Sequence, residues 1–209
     1  MGIDLSKTGH VLFFIVLLPA ISLGVGWMFS VFFPSLPFWV ETISPLTAYA
    51  LLYGWFDKHL WHWPVFHWLG IVQAPDMRGR WRGSQVSSYK DKDGKNRISH
   101  LVMEVEQSFS HIKVETYYKY WQSERSIASF VKVDGACVLF VMFESSPKVE
   151  YDGAASAHKG VMRLSLLPDG KLNGTYFNAA GRSGEISLKR TKYTLYRTFE
   201  RMPKPTAER

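Results

Sequence analysis

The chain of 209 residues has one cysteine, Cys137. A single thiol excludes an intrachain disulfide and any thiolate metal cluster. Such usage fits a cytosolic or cytosol-facing domain. Charge is scarce in the first third, where only Asp4, Lys7, Glu41, Asp57 and Lys58 are charged up to Val72. Helical periodicity is missing from Gln73 onward. A phosphate-binding loop is missing too: Lys92-Asp93-Gly94-Lys95 has neither the glycine-rich stretch nor the helix that such a loop needs. Ser108, Ser110 and His111 are neighbours in sequence, which is not a triad. Glu104 and Glu106 share a strand face expected to be solvated. His59 and His62 lie one helical turn apart but have no carboxylate or cysteine to complete a metal set. An enzyme is therefore the least supported class, and neither a metal nor a cofactor is expected.

Long apolar runs are present. His10 to Phe33 holds no charged residue, and at about 1.5 Å per residue it spans a hydrocarbon core of about 30 Å with some tilt. It is too long for the apolar region of a signal peptide. Pro34-Ser35-Leu36-Pro37 reads as a tight turn. Phe38 to Phe56 is the second expected span, with Glu41 near its N-terminus, where the helix dipole favours a carboxylate. Trp39, Tyr53 and Trp55 fit interfacial belts. The connecting turn has no Lys or Arg, whereas Lys7, Lys58, Arg78, Arg80 and Arg82 lie on the terminal side. The positive-inside rule then puts both termini and the remaining domain in the cytoplasm. His59–Val72, with three Trp, three His and Pro64, is expected to be an interfacial collar.

The rest of the chain carries 23 of the 25 Lys and Arg residues and 15 of the 18 Asp and Glu. That basic excess suits an anionic partner such as a nucleotide, a nucleic acid or a lipid headgroup. It reads as about eight short strands: 80–89, 98–108, 111–120, 125–133, 137–145, 160–167, 171–178 and 183–191. Alternation is clear in Leu101, Met103 and Val105, and in Ile112, Val114, Thr116 and Tyr118. Asp93-Gly94, Asp134-Gly135 and Pro168-Asp169-Gly170 mark turns. Short connections favour an up-and-down barrel over a sandwich. The expected organisation is a transmembrane hairpin with collar over 1–73, an all-β barrel of eight strands over 74–200, and a tail over 201–209. Tyr193–Arg201 is read as a short amphipathic end. A barrel of this size has room for one small ligand.

Gly79-Arg80-Trp81 on the first strand, with Arg190 on the last, resembles the lipocalin signature, in which a Trp plugs the closed end under a basic side chain. Leu172-x-Gly174-x-Tyr176 and Gly184-x-Ile186-x-Leu188-x-Arg190 resemble the last hairpin of lipocalin-like barrels. Two N-terminal transmembrane helices before such a barrel resemble the two-transmembrane β-barrel effectors of bacterial CBASS anti-phage systems, over essentially the whole chain. The resemblance implies an effector in the bacterial inner membrane whose cytosolic barrel binds a cyclic dinucleotide rather than a nucleic-acid polymer. It further implies self-assembly and disruption of the bilayer. Gly24-Val25-Gly26 with Ser22 and Ser30 would support close helix packing. The alternatives left open are a membrane-tethered carrier of a lipid or fatty acid and a barrel filled by its own side chains.

A cyclic dinucleotide needs aromatic faces and donors to phosphate. With Trp81 inward at the closed end, Gly83, Gln85, Ser87 and Tyr89 also face inward. Tyr89, Thr116 and Tyr118 then converge near the open end, with Arg125 across the turn and Ser129 on its face. Arg163, Tyr176, Asn178 and Arg182 are further candidates. Cys137, on an apolar strand, is expected to be a small buried hydrophobe.

Overall fold

The structure is a computed structural model that describes residues 12–32, 38–91, 93–133, 136–147 and 157–199. The expected turn at Pro34–Pro37, the two ends of the chain and most of the loop between the fifth and sixth strands lie outside the described residues. Two compact units result: one of Met1–Ala74 with Ser108–His111, the other of Pro75–Gln107 with Ile112–Arg209.

In the first unit a π-helical segment, Leu12–Leu17, runs into α1, Leu18–Phe32. Phe13–Phe32 is long and apolar enough to cross a membrane. Helix α2 is Phe38–Trp55, followed by a π-helical turn at Phe56–Leu60 and the short α3, Pro64–Trp68, with Pro64 in its first turn. Proline is tolerated there because the first-turn amide has no helical partner. Phe13, Phe56, Trp61, Ile71, Val72 and Phe109 form a buried cluster, with the Phe13, Phe66 and Phe109 rings within 6 Å of Phe56. The collar thus divides. Trp61 is fully buried, whereas Trp63 and Trp68 are exposed.

The second unit is a closed barrel of eight antiparallel strands in sequential order. They are β1 (Gly79–Lys90), β2 (Asn96–Gln107), β3 (Ile112–Tyr117), β4 (Trp121–Val133), β5 (Ala136–Pro147), β6 (His158–Leu166), β7 (Lys171–Asn178) and β8 (Ser183–Lys192). Strand β1 pairs with β8 from Arg80 to Ser87, which removes both sheet edges. Inward residues from all eight strands build the core, among them Trp81, Met103, Val114, Phe130, Leu139, Leu164, Leu172 and Leu188. Strand β4 begins at Trp121, earlier than the alternation predicts, and its register with β5 shifts between Gln122 and Arg125. Of the expected amphipathic end at Tyr193–Arg201, the described part, 193–199, is irregular and runs over the outer face of β1 and β2, where its backbone meets Arg80, Arg82 and Glu104.

Closure brings backbones together at inward glycines. A Cβ at Gly83 would overlap the carbonyl oxygen of Ser187 on β8, and one at Gly174 the carbonyl oxygen of Arg163 on β6. Neither obstacle is a flexible side chain. Gly83→Val is therefore expected to lower stability by about 1–3 kcal/mol or more through overpacking, read from urea unfolding of the full chain in detergent. Stability equal to wild type would mean the strands part at no cost.

Candidate ligand-binding site

Antiparallel order sends successive turns to opposite ends of the barrel. At one end Trp81 is fully buried. The Arg190 guanidinium lies 4.6 Å from the centre of its ring system, and its indole N–H donates to the Met77 carbonyl at 2.9 Å. Arg190 also donates to the Asp76 carbonyl and, at 2.7 Å, to the Tyr193 hydroxyl. This end is plugged.

At the other end, near the turns after β1, β3 and β7, lies a cavity of about 810 Å³. Its floor is polar. The Tyr118 hydroxyl donates to Gln85 Oε1 at 2.6 Å, and the Tyr176 hydroxyl donates to Ser87 Oγ at 2.9 Å. Burial, with a smaller effect from Tyr176, pushes the Tyr118 phenol well above its ordinary range. It therefore remains a neutral donor at physiological pH. The rim is aromatic and basic. The Arg182 guanidinium lies 4.8 Å from the Tyr89 ring centre, Lys119 Nζ lies 4.9 Å from the Tyr120 ring centre, and Trp121 meets His158 edge-on at 5.1 Å. Arg97 adds a third full positive charge. Among the described residues lining the cavity there is no Asp or Glu.

The sequence-derived candidates separate into groups. Tyr89, Tyr118, Tyr176 and Asn178 line the cavity together. Asn178 also holds the β7–β8 turn, its Oδ1 accepting from the amides of Ala180 and Arg182 at 3.2 and 3.1 Å. Thr116 faces inward but lies below the lining, almost fully buried.

Ser129 and Arg163 are corrections. The register shift after Gln122 reverses the phase of β4, so Ser126, Ala128 and Phe130 point inward, and Ser129 shares the outer face with the exposed Ile127. Arg163 is exposed between the buried Met162 and Leu164, so alternation turns it away from the interior. Arg125 sits opposite Glu144 at a register position in the phase of Ile127. Its side chain lies outside the described residues.

The sequence reading missed Arg97, Lys119, Tyr120, Trp121 and His158. The alternation reads Lys119-Tyr120 as the end of strand three and Trp121 as part of a gap, whereas Trp121, directly after the turn, begins β4. For Arg97 and His158, at strand starts, the sequence carried no distinguishing signal.

A barrel plugged at one end by an internal tryptophan and holding, toward the other, a polar-floored cavity with an aromatic and basic rim belongs to the class of small-ligand-binding barrels. The family is more specific than the class. The model of the Cap15 cyclic dinucleotide receptor domain matches residues 72–190, and the chain belongs to that family. The CD-NTase-associated protein 15 of Staphylococcus schleiferi is 22% identical over 155 residues, covering 74% of this chain and 81% of that protein.

Proposed function

We propose that this protein is a membrane-anchored CBASS effector whose barrel senses a cyclic dinucleotide and whose helices act on the bilayer. The observation that carries the sensing step is the described lining of the cavity, which is basic and aromatic and holds no Asp or Glu. It offers Arg97, Lys119 and Arg182 to two phosphates, and Tyr89, Tyr120 and Trp121 to two bases, above a floor of hydroxyl and amide groups. Stacking and charge-assisted donors are the interactions that such a ligand needs. A volume of about 810 Å³ suits a ligand of this size. A fatty-acid carrier would call for an apolar interior, and the Tyr118–Gln85 and Tyr176–Ser87 pairs run against that. Membrane association draws support from Phe13–Phe32 and from the exposed Trp63 and Trp68. A second span at Phe38–Phe56, a cytoplasmic barrel, assembly on ligand binding and rupture of the inner membrane complete the proposal.

The test is thermal unfolding of the full chain in detergent with cyclic di-GMP, cyclic di-AMP, cyclic di-UMP and a set of fatty acids. A ligand at 100 times its Kd is expected to add about 2.7 kcal/mol, a rise of several degrees at this chain length. The responding cyclic dinucleotide should lose about tenfold or more in affinity with Arg182→Ala, since a hydrogen bond to a charged group contributes about 1.5–3 kcal/mol. A response to fatty acids alone would overturn the sensor in favour of the carrier.

A further inference from the structure

Two hydroxyls inside the barrel are buried with no hydrogen-bond partner among the described residues. Thr116 and Ser123 oppose each other across β3 and β4. Each is 1% exposed, and neither Thr116 Oγ1 nor Ser123 Oγ has a hydrogen-bond partner among the described residues. An unpaired buried hydroxyl destabilises a fold, and an apolar side chain of the same shape would not. The polar groups of the next layer, Tyr118 with Gln85 and Tyr176 with Ser87, are paired.

Their position gives the unpaired hydroxyls a use. Thr116 precedes Tyr118 by two residues and Ser123 follows Trp121 by two, and both of those neighbours line the cavity. Alternation therefore sets Thr116 and Ser123 on the same inward face, one layer deeper, about 7 Å below. The seam they occupy is sparsely paired. Among the described residues, strands β3 and β4 share the register pairs Thr116–Ser123 and Tyr117–Gln122, closed at the turn by the Tyr118 amide donating to the Trp121 carbonyl at 2.8 Å. Where the ladder lapses, the Ser126 hydroxyl donates to the Val114 carbonyl instead. Adjacent β4 and β5 are paired from Trp121–Pro147 to Val133–Ala136. Widening the β3–β4 seam breaks few ladder bonds, and the Tyr118 ring above it is held at its hydroxyl by one neutral hydrogen bond.

We infer that Thr116 and Ser123 are the deep contact of the cavity. Tyr118 moves off Gln85 as ligand enters, the cavity lengthens by one layer along the seam, and the two hydroxyls receive the polar edge of one base. This rests on the cavity being the cyclic dinucleotide site. Each hydroxyl both donates and accepts, so together they satisfy a base edge that alternates donor and acceptor. An apolar chain reaching this layer would leave both unpaired.

The experiment compares Thr116→Val, Ser123→Ala and Thr116→Ser in the full chain in detergent. It measures the unfolding temperature without ligand and the affinity for whichever of cyclic di-GMP, cyclic di-AMP or cyclic di-UMP the wild type binds. Thr116→Val and Ser123→Ala are expected to weaken binding by about tenfold or more while the empty protein melts no lower than wild type. Thr116→Ser, which keeps the hydroxyl, should bind within about threefold of wild type. Equal affinity of the Val and Ser variants at position 116, together with unchanged binding by Ser123→Ala, overturns the inference. So does a fall in melting temperature with affinity unchanged, the signature of a structural water bridging the pair. A wild type that binds none of the three cyclic dinucleotides fails one step earlier and removes the site reading itself.

Discussion

Trp81→Ala is expected to cost the barrel about 3–5 kcal/mol, the range for truncating a fully buried Trp, which is a large share of a typical domain's stability. The cost has three parts. The indole fills the plugged end with no exposed surface, so its removal leaves a cavity bounded by β1, β2 and β8. The Arg190 guanidinium loses the ring that it lies against, an interaction contributing about 0.5–2 kcal/mol. The Met77 carbonyl loses its N–H donor in a buried setting. Trp81→Phe separates these parts, since it keeps most of the packing and a ring under Arg190 but removes the donor. Urea unfolding of the full chain in detergent should rank the variants wild type, Phe, Ala in falling stability. Equal midpoints for wild type and Trp81→Ala would mean that the plug does not close the barrel. Because the cavity lies at the opposite end, folded Trp81→Phe should retain cyclic dinucleotide affinity, which separates a scaffold residue from a ligand contact.

The plug was legible because it is encoded at fixed positions: a Trp early on the first strand and an Arg on the last, neighbours only if the sheet closes. Strand count and order were legible for a related reason. Period-two runs such as Leu101–Val105 and turn signals such as Pro168-Asp169-Gly170 are local, and an up-and-down barrel asks for little beyond local order. The cavity was legible in part. Counting from Trp81 and Ile112 brought Tyr89, Tyr118 and Thr116 toward one end. Counting failed on β4, where an irregularity between Gln122 and Arg125 inverts the inward and outward faces and carries Ser129 outside. Nothing in Trp121–Arg125 announces that shift, and one extra unpaired residue is enough to invert every later position on the strand. Arg163 is a different failure. Met162 and Leu164 flank it as inward apolar residues, so the pattern that would have excluded it was available.

The outer face hid more than the interior did. Glu104 alternates with buried Met103 and Val105, and period two reads it as solvated. It is instead 2% exposed, as is Arg80 opposite it, because the irregular segment after β8 covers both. Glu104→Ala is accordingly expected to destabilise the barrel by about 3–5 kcal/mol, the range for breaking a buried ion pair from one side. The Glu104 carboxylate accepts from Arg80, and it accepts the amides of Tyr196 and Arg197 at 2.9 Å each. Arg80 donates in turn to the Thr198 carbonyl at 2.7 Å. Removing the carboxylate leaves a buried guanidinium without its counter-charge and two backbone amides without acceptors. Trypsin should then cut after Arg197 faster than in wild type, while sites within the strands stay protected until global unfolding. The double variant Arg80→Met with Glu104→Leu should recover much of the loss, since an apolar pair of similar volume leaves no charge buried. A double variant no more stable than Glu104→Ala would show that 193–199 needs the charges themselves. Phe199 lies at the end of this segment and also lines the ligand cavity. Loosening the segment through Glu104 should therefore weaken cyclic dinucleotide binding as well, by less than Arg182→Ala does, because it removes one apolar wall and no phosphate donor.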